Sequence, residues 1–214
     1  MTKYDQLKEK AYEVVNRLKQ RYSSECALEY RGEPWKLLVL ARLSAQCTDK
    51  RVNIVSVPLF EKYPTLESIA NCNLDELEEI VKPCGLYRVK AKDIKMSCTD
   101  ILERFGGVVP DNMDDLLSLS GVGRKIANLI LGDIYKKPAI VADTHCIRIS
   151  GRLGFVKENE KNPNKVEMTL KKYVPENEQS DFCHRIVQFG REVCCARNPK
   201  CEECFLSDLC DHVR

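Results

Sequence analysis

Four cysteines, Cys194, Cys201, Cys204 and Cys210, fall within 17 residues in the spacing C-x6-C-x2-C-x5-C. A chain that gathers four thiols so closely has to coil around them, and Pro199 with its short flanking loops allows that. The opening Met-Thr-Lys-Tyr-Asp carries no apolar leader core, so a disulfide framework is not expected. Two centres fit four thiolates: tetrahedral zinc and an iron–sulfur cluster. Structural zinc sites usually draw on two Cys-x2-Cys knuckles, and only one is present. The unequal spacing therefore favours a cubane, with zinc left open. Cys195 is left over. The other seven cysteines (Cys26, Cys47, Cys72, Cys84, Cys98, Cys146, Cys183) lie mostly in apolar-periodic segments and read as reduced, partly buried small hydrophobes.

The rest of the chain reads as helix. Leu7, Ala11, Val14, Val15 and Leu18 make one helical face, and Pro34 opens the strongly apolar Trp35-Lys-Leu-Leu-Val-Leu-Ala segment. Asp49 to Tyr63 is amphipathic, with Pro58 expected to kink it or start a new helix. Thr65 and Asn73 are N-cap candidates, Asn73 with Glu76 forming a variant capping box. Asp111 is expected to cap a short helix, and Asn162-Pro163 to start another. Nothing alternates with period two over a useful length, so the fold class is all-α. With 43% hydrophobic and 31% charged residues the composition is that of a folded globular protein, and no apolar run approaches a membrane span. A cytoplasmic protein with no membrane partner is expected.

Between Leu119 and His145 the chain carries its chemistry. Gly121 and Gly123 flank one Val between helical patterns, which permits a tight turn with outward amides at the start of the next helix. Arg124 and Lys125 come at once after it, and Asp143 returns beside His145. A lysine in the first turn of a helix is electrostatically misplaced, which lowers the cost of making it a neutral nucleophile. Asp143-Thr144 also has the form of a helix N-cap. Although the net charge is only +2, residues 121–152 hold six Lys/Arg against two Asp, a local basic face suited to a polyanion. The whole reads as a helix–hairpin–helix that grips a nucleic-acid phosphate.

Leu-Ser-Gly-Val-Gly-Arg-Lys followed by Val-Ala-Asp-Thr-His resembles the signature of the endonuclease III family of DNA glycosylases. The terminal cysteine spacing resembles that family's [4Fe–4S] site, with Gly190-Arg191 before it and Ala196-Arg197 between ligands. The resemblance covers about Leu37 to Cys210. One departure is visible: Ser120 stands where the family usually has Pro, which bears on the rigidity of the hairpin.

The resemblance implies two α-helical domains with a cleft between them: a barrel over 27–137, and a cluster domain from 1–26 with 138–214. It implies Lys125 as nucleophile, Asp143 as its assistant, and Cys194, Cys201, Cys204 and Cys210 as ligands of a [4Fe–4S] cluster. Gln46 of Ser-Ala-Gln and Leu86 of Gly-Leu-Tyr are implied to enter the duplex. Gly121, Gly123, Arg124, His145, Arg197 and Lys200 are the further expected DNA contacts. The implied activity is base excision repair: a bifunctional glycosylase/AP lyase acting on oxidised or ring-saturated pyrimidines through a Lys Schiff base. A monomer acting on double-stranded DNA at the nucleoid is expected. Two alternatives stand beside it: a glycosylase for alkylated purines, and a non-catalytic DNA-binding module with a redox-sensing cluster.

Overall fold

The computed structural model describes residues 2–213. Eleven α-helices and four single 3-10 turns make up the regular structure of those residues, and no strand occurs among them. The chain divides into two units, Cys26–Tyr135 and Met1–Glu25 with Lys136–Arg214.

The first unit is built on α2 (Pro34–Leu43), in which Trp35, Leu37, Leu38, Val39, Leu40, Ala41 and Leu43 are all buried. A helix apolar on nearly every face can only be a core element. Helices α3 (Asp49–Lys62), α6 (Tyr87–Phe105) and α8 (Arg124–Asp133) pack on it. The short α4 (Leu66–Ala70) and α5 (Leu74–Val81) cover α6, and α7 (Met113–Leu117) lies against α8. Trp35 meets Phe60 edge-on, with ring centroids 5.5 Å apart.

Local chemistry sets most boundaries, and two of the expected capping arrangements are made by other residues. Pro58 lies inside α3 and does not end it; its ring is exposed, so the missing amide costs a hydrogen bond but meets no buried neighbour. The Asn73 side chain accepts from Asp75 and Glu76 amides, but Glu76 does not return the bond; its carboxylate is drawn 2.8 Å from Lys62. The reciprocal capping box belongs instead to Thr65 and Ser68. Asn112, one residue beyond Asp111, caps α7 through the Asp115 amide.

In the second unit α11 (Gln179–Glu192) packs against both α1 (Lys3–Lys19) and α9 (Thr144–Arg152), while α10 (Pro163–Tyr173) covers α1 and α9. Helix α1 is tied to the C-terminal segment. Arg17 bridges Asp208 at 2.6 and 3.0 Å and donates to the Phe205 carbonyl at 2.8 Å. Tyr22, Phe189 and Phe205 form an aromatic knot, with Arg21 4.4 Å from the Phe205 centroid.

Replacing Pro58 restores an amide donor to the Ile54 carbonyl at an exposed site. Pro58→Ala is expected to stabilise the protein by about 1–2 kcal/mol, the regained helical bond outweighing the looser unfolded chain. Urea unfolding followed by circular dichroism measures it, and a destabilised variant would contradict the account.

Candidate active site

The turn between α7 and α8 is closed by the Val122 amide donating to the Leu119 carbonyl at 3.2 Å, with Gly121 at φ 71°. A Cβ on Gly121 would sit 2.6 Å from Arg42 Nε and 2.7 Å from Asp93 Cβ and Oδ2. Both the dihedral and the space therefore demand glycine. Asp93, from α6, holds the turn from beneath. Its Oδ2 accepts from Arg42 Nε and Nη2 at 2.8 and 2.6 Å, and Ser120 Oγ donates to its Oδ1 at 3.1 Å. Ser120 thus anchors the turn by a hydrogen bond at the position where proline was expected.

Gly123 begins α8 with no side-chain cap, its carbonyl accepting the Ala127 amide at 3.0 Å. The amides of the first turn thus have no side-chain acceptor from the cap, and with the helix dipole they favour an anion. Arg124 is half-buried at the first position of α8, and Lys125 is exposed at the second.

The same unit carries Gln46 and Leu86. Both are exposed and both adopt left-handed backbone, at φ 54° and 49°. For residues with a Cβ this conformation costs about 1 kcal/mol or more each, so the surroundings must impose it. Leu86 is 57% exposed, too open for the core role that a leucine at a helix start usually has.

Asp143 and the cysteines belong to the other unit. Asp143 is half-buried and caps α9, its Oδ1 accepting the Cys146 amide at 2.8 Å. Two residues earlier, the Val141 amide donates to Cys183 Sγ at 3.2 Å, fixing the approach of this stretch of chain to α11. His145 is half-buried, its Nδ1 3.2 Å from Arg148 Nη2, and Gly190 gives it room: a Cβ there would lie 2.5 Å from Nδ1.

Two of the six basic residues counted toward a polyanion face are turned inward. Arg148 Nη2 donates to the carbonyls of Cys194 and Gly190 at 2.9 and 3.1 Å. Arg152 Nη1 donates to the Cys195 carbonyl at 2.7 Å and to Cys194 Sγ at 3.3 Å. They close the C-terminal end of α11 and the loop beyond it, where unpaired carbonyls attract cations. Helical spacing alone could have grouped the two arginines on one face, but not told which way that face points.

Cys194, Cys201, Cys204 and Cys210 line one pocket with about 380 Å³ of empty space, walled by Ile149, Leu153, Phe189, Val193 and Leu206. Burial raises the Cys204 thiol above its ordinary pKa, and the neighbouring Cys194, Cys210 and Cys201 add to the shift. Four soft donors in an apolar pocket, one of them already receiving an N–H from Arg152, are the chemistry an iron–sulfur cluster requires. Cys195 is directed elsewhere, its thiol bonding to the Arg191 carbonyl at 3.3 Å. Arg197 and Lys200 are exposed between the first two thiols, with Asn198 left-handed at φ 51°.

A family model described as HhH-GPD superfamily base excision DNA repair protein matches residues 39–176. A second, the iron–sulfur binding domain of endonuclease III, matches residues 194–210. Endonuclease III of Synechocystis sp. is 42% identical over 95% of this chain and 92% of its own length. This chain is a member of the endonuclease III family. The endonuclease III of Bacillus subtilis is 43% identical over 87% of this chain and 84% of its own. A solved covalent intermediate between an endonuclease III and DNA matches with a TM-score of 0.89 and 39% identity, covering 100% of this chain and 98% of that one. As an endonuclease III family member the chain is a base excision DNA repair protein with a [4Fe–4S] cofactor, and zinc is set aside. No helix among the described residues is long and apolar enough to cross a membrane.

Sequence reasoning missed Arg42, Asp93 and Lys90. One signal was available for the last. Lys90 lies four residues before Ile94 on the apolar stripe of α6, where a solvated lysine does not belong.

Gly121→Ala forces a methyl into Asp93 and Arg42 and is expected to cost about 2–4 kcal/mol, read by urea unfolding. At the thiol pocket, Cys204→Ser is expected to lose visible absorbance, iron and much of the soluble yield, whereas Cys195→Ser keeps about four irons per chain. Colourless active protein with one zinc would reverse this second expectation.

Proposed function

We propose that this protein excises oxidised or ring-saturated pyrimidines from double-stranded DNA and then cleaves the strand at the abasic site, with Lys125 as nucleophile and Asp143 as its assisting carboxylate. The observation that carries the proposal is the placement of Lys125: exposed in the first turn of α8, directly after a glycine turn pinned to Asp93 and Arg42. A phosphate clamp needs the turn but not the lysine, so a purely binding role leaves Lys125 unexplained. The named relatives, endonucleases III, and the DNA complexes solved for such proteins support the same reading.

In this mechanism the damaged nucleotide leaves the stack, because its C1′ is out of reach inside the duplex. The neutral Lys125 amine donates its electron pair to C1′, the N-glycosidic bond breaks, and the base departs with that bond's electrons and a proton. The C1′–O4′ bond then breaks: the nitrogen lone pair forms the C=N bond while O4′ takes a proton from solvent and becomes the C4′ hydroxyl, leaving a protonated Schiff base between the lysine nitrogen and C1′. Loss of a C2′ proton drives β-elimination, breaking the C3′–O bond and releasing the 3′ phosphate. Asp143 offsets positive charge that develops on the sugar and the nitrogen and helps the amine lose its proton.

Around this chemistry the first-turn amides of α8, with Gly121, Gly123 and Arg124, hold a backbone phosphate. Gln46 and Leu86 fill the gap left by the extruded nucleotide, Leu86 as an apolar wedge. His145, Arg197 and Lys200 contact the backbone from the second unit. Cys194, Cys201, Cys204 and Cys210 hold the cluster, which staples the segment that presents Arg197 and Lys200. The protein works as a monomer on nucleoid DNA in the cytoplasm.

Borohydride reduction on an abasic duplex tests the central assignment, since it converts the imine to a stable amine and leaves a covalent adduct. Lys125→Gln is expected to abolish the adduct while keeping duplex affinity within about threefold. Asp143→Asn is expected to slow trapping by roughly a hundredfold or more, with the adduct still on Lys125. Undiminished trapping by Lys125→Gln would assign the chemistry to another amine.

A further inference from the structure

Among the described residues, Lys90 is the largest side chain with no solvent exposure. It sits on α6, and its Nζ donates to two backbone carbonyls, Leu43 and Cys84, each at 2.8 Å. Leu43 is the last residue of α2, and Cys84 ends the 3-10 turn Lys82–Cys84. Both carbonyls lie at the negative ends of helical segments, where a cation is favoured. Burial draws the pKa of Lys90 below the usual lysine value, and the two short hydrogen bonds satisfy the nitrogen in place of water. The thiol of Cys84 meets that of Cys47 at the same junction.

Each carbonyl stands at the base of a turn that presents one exposed residue. Gln46 lies three residues beyond Leu43, and Leu86 two beyond Cys84. Both are left-handed, and Leu86 opens α6 without a side-chain cap that would explain its conformation. A single buried nitrogen bridges the bases of the two turns.

We propose that Lys90 is a positioning residue for duplex engagement: its buried nitrogen cross-links Leu43 and Cys84 and so fixes the spacing at which Gln46 and Leu86 enter the DNA. The proposal rests on the reading that those two residues fill the gap beside an extruded nucleotide. Lys90 touches neither substrate nor the reacting atoms. It acts by keeping two strained turns in register, so that the wedge and its partner are already placed when the duplex arrives.

The test compares two substrates of identical sequence: a duplex with one ring-saturated thymine, and the same duplex with a pre-formed abasic site. Leu86→Ala and Gln46→Ala are measured first and are expected to slow excision of the damaged base far more than cleavage of the abasic strand. Lys90→Met keeps the aliphatic stem and removes the donor; it is expected to slow base excision about tenfold and abasic-strand cleavage by less than about threefold. Combined with Leu86→Ala it should add less than about twofold, because both changes disable one device. Thermal melting and cluster absorbance report folding of the full chain. If Lys90→Met melts below the assay temperature, Lys90→Gln replaces it; its side chain is one bond shorter and cannot reach both carbonyls, so a loss of at least about threefold selective for base excision is expected.

Equal losses on the two substrates, an unchanged ratio, or full additivity with Leu86→Ala would each overturn the positioning role while leaving the wedge reading intact. If Leu86→Ala and Gln46→Ala themselves leave the ratio unchanged, the wedge reading fails and the role of Lys90 falls with it.

Discussion

The Arg42–Asp93 ion pair is the joint on which the hairpin unit depends. Its atoms approach to 2.6 Å and both side chains are less than one-fifth exposed. Charges this sheltered are costly unless paired, and removing one partner of a buried pair leaves the other uncompensated, at about 3–5 kcal/mol. Here the pair also has a mechanical task. Asp93 spends one oxygen on Arg42 and the other on Ser120, so the carboxylate is at once a salt-bridge partner and a peg for the Gly121 turn. The absence of a side chain on Gly121 is what lets the peg approach.

Lys90 and Asp93 are polar residues on the inner side of α6, three positions apart. Asp93 reaches the turn ahead of Lys125, and Lys90 reaches the turns that carry Gln46 and Leu86. One rigid helix therefore gauges the heights of three loops, a more precise arrangement than loops holding one another. In the other unit, Arg148 and Arg152 play a comparable part for the cysteine loop, converting the unpaired carbonyls at the end of α11 into fixed points.

The sequence disclosed what periodicity and spacing encode. All-α character came from apolar residues at helical intervals with no alternating run, and the cysteine centre from its four-thiol spacing. Cap positions were less secure, because neighbouring polar residues compete: Asn112 took the place expected of Asp111, and Glu76 was won by Lys62. Side-chain direction was hardest to read. Nothing local distinguishes Arg148 and Arg152, which face carbonyls, from basic residues that face solvent. Nor does sequence show that Ser120 finds Asp93 twenty-seven positions earlier, or that two separate turns meet over Lys90. Such pairings are made by the fold, between residues whose local patterns are individually ordinary.

The division of the chain sets an order of assembly during synthesis. The unit Cys26–Tyr135 is one continuous segment, so all its helices have left the ribosome before the other unit can close. Helix α1 is made first, yet its partners α10 and α11 and its anchor Asp208 are made last. Its apolar face must therefore remain uncovered while the whole intervening unit is translated and folds. The heavily charged opposite face of α1 is what keeps such a waiting helix soluble. The ligand set of the four-thiol pocket is complete only once Cys210 has been synthesised, so a chain halted before that point would carry the whole hairpin unit beside a pocket that lacks one of its thiols.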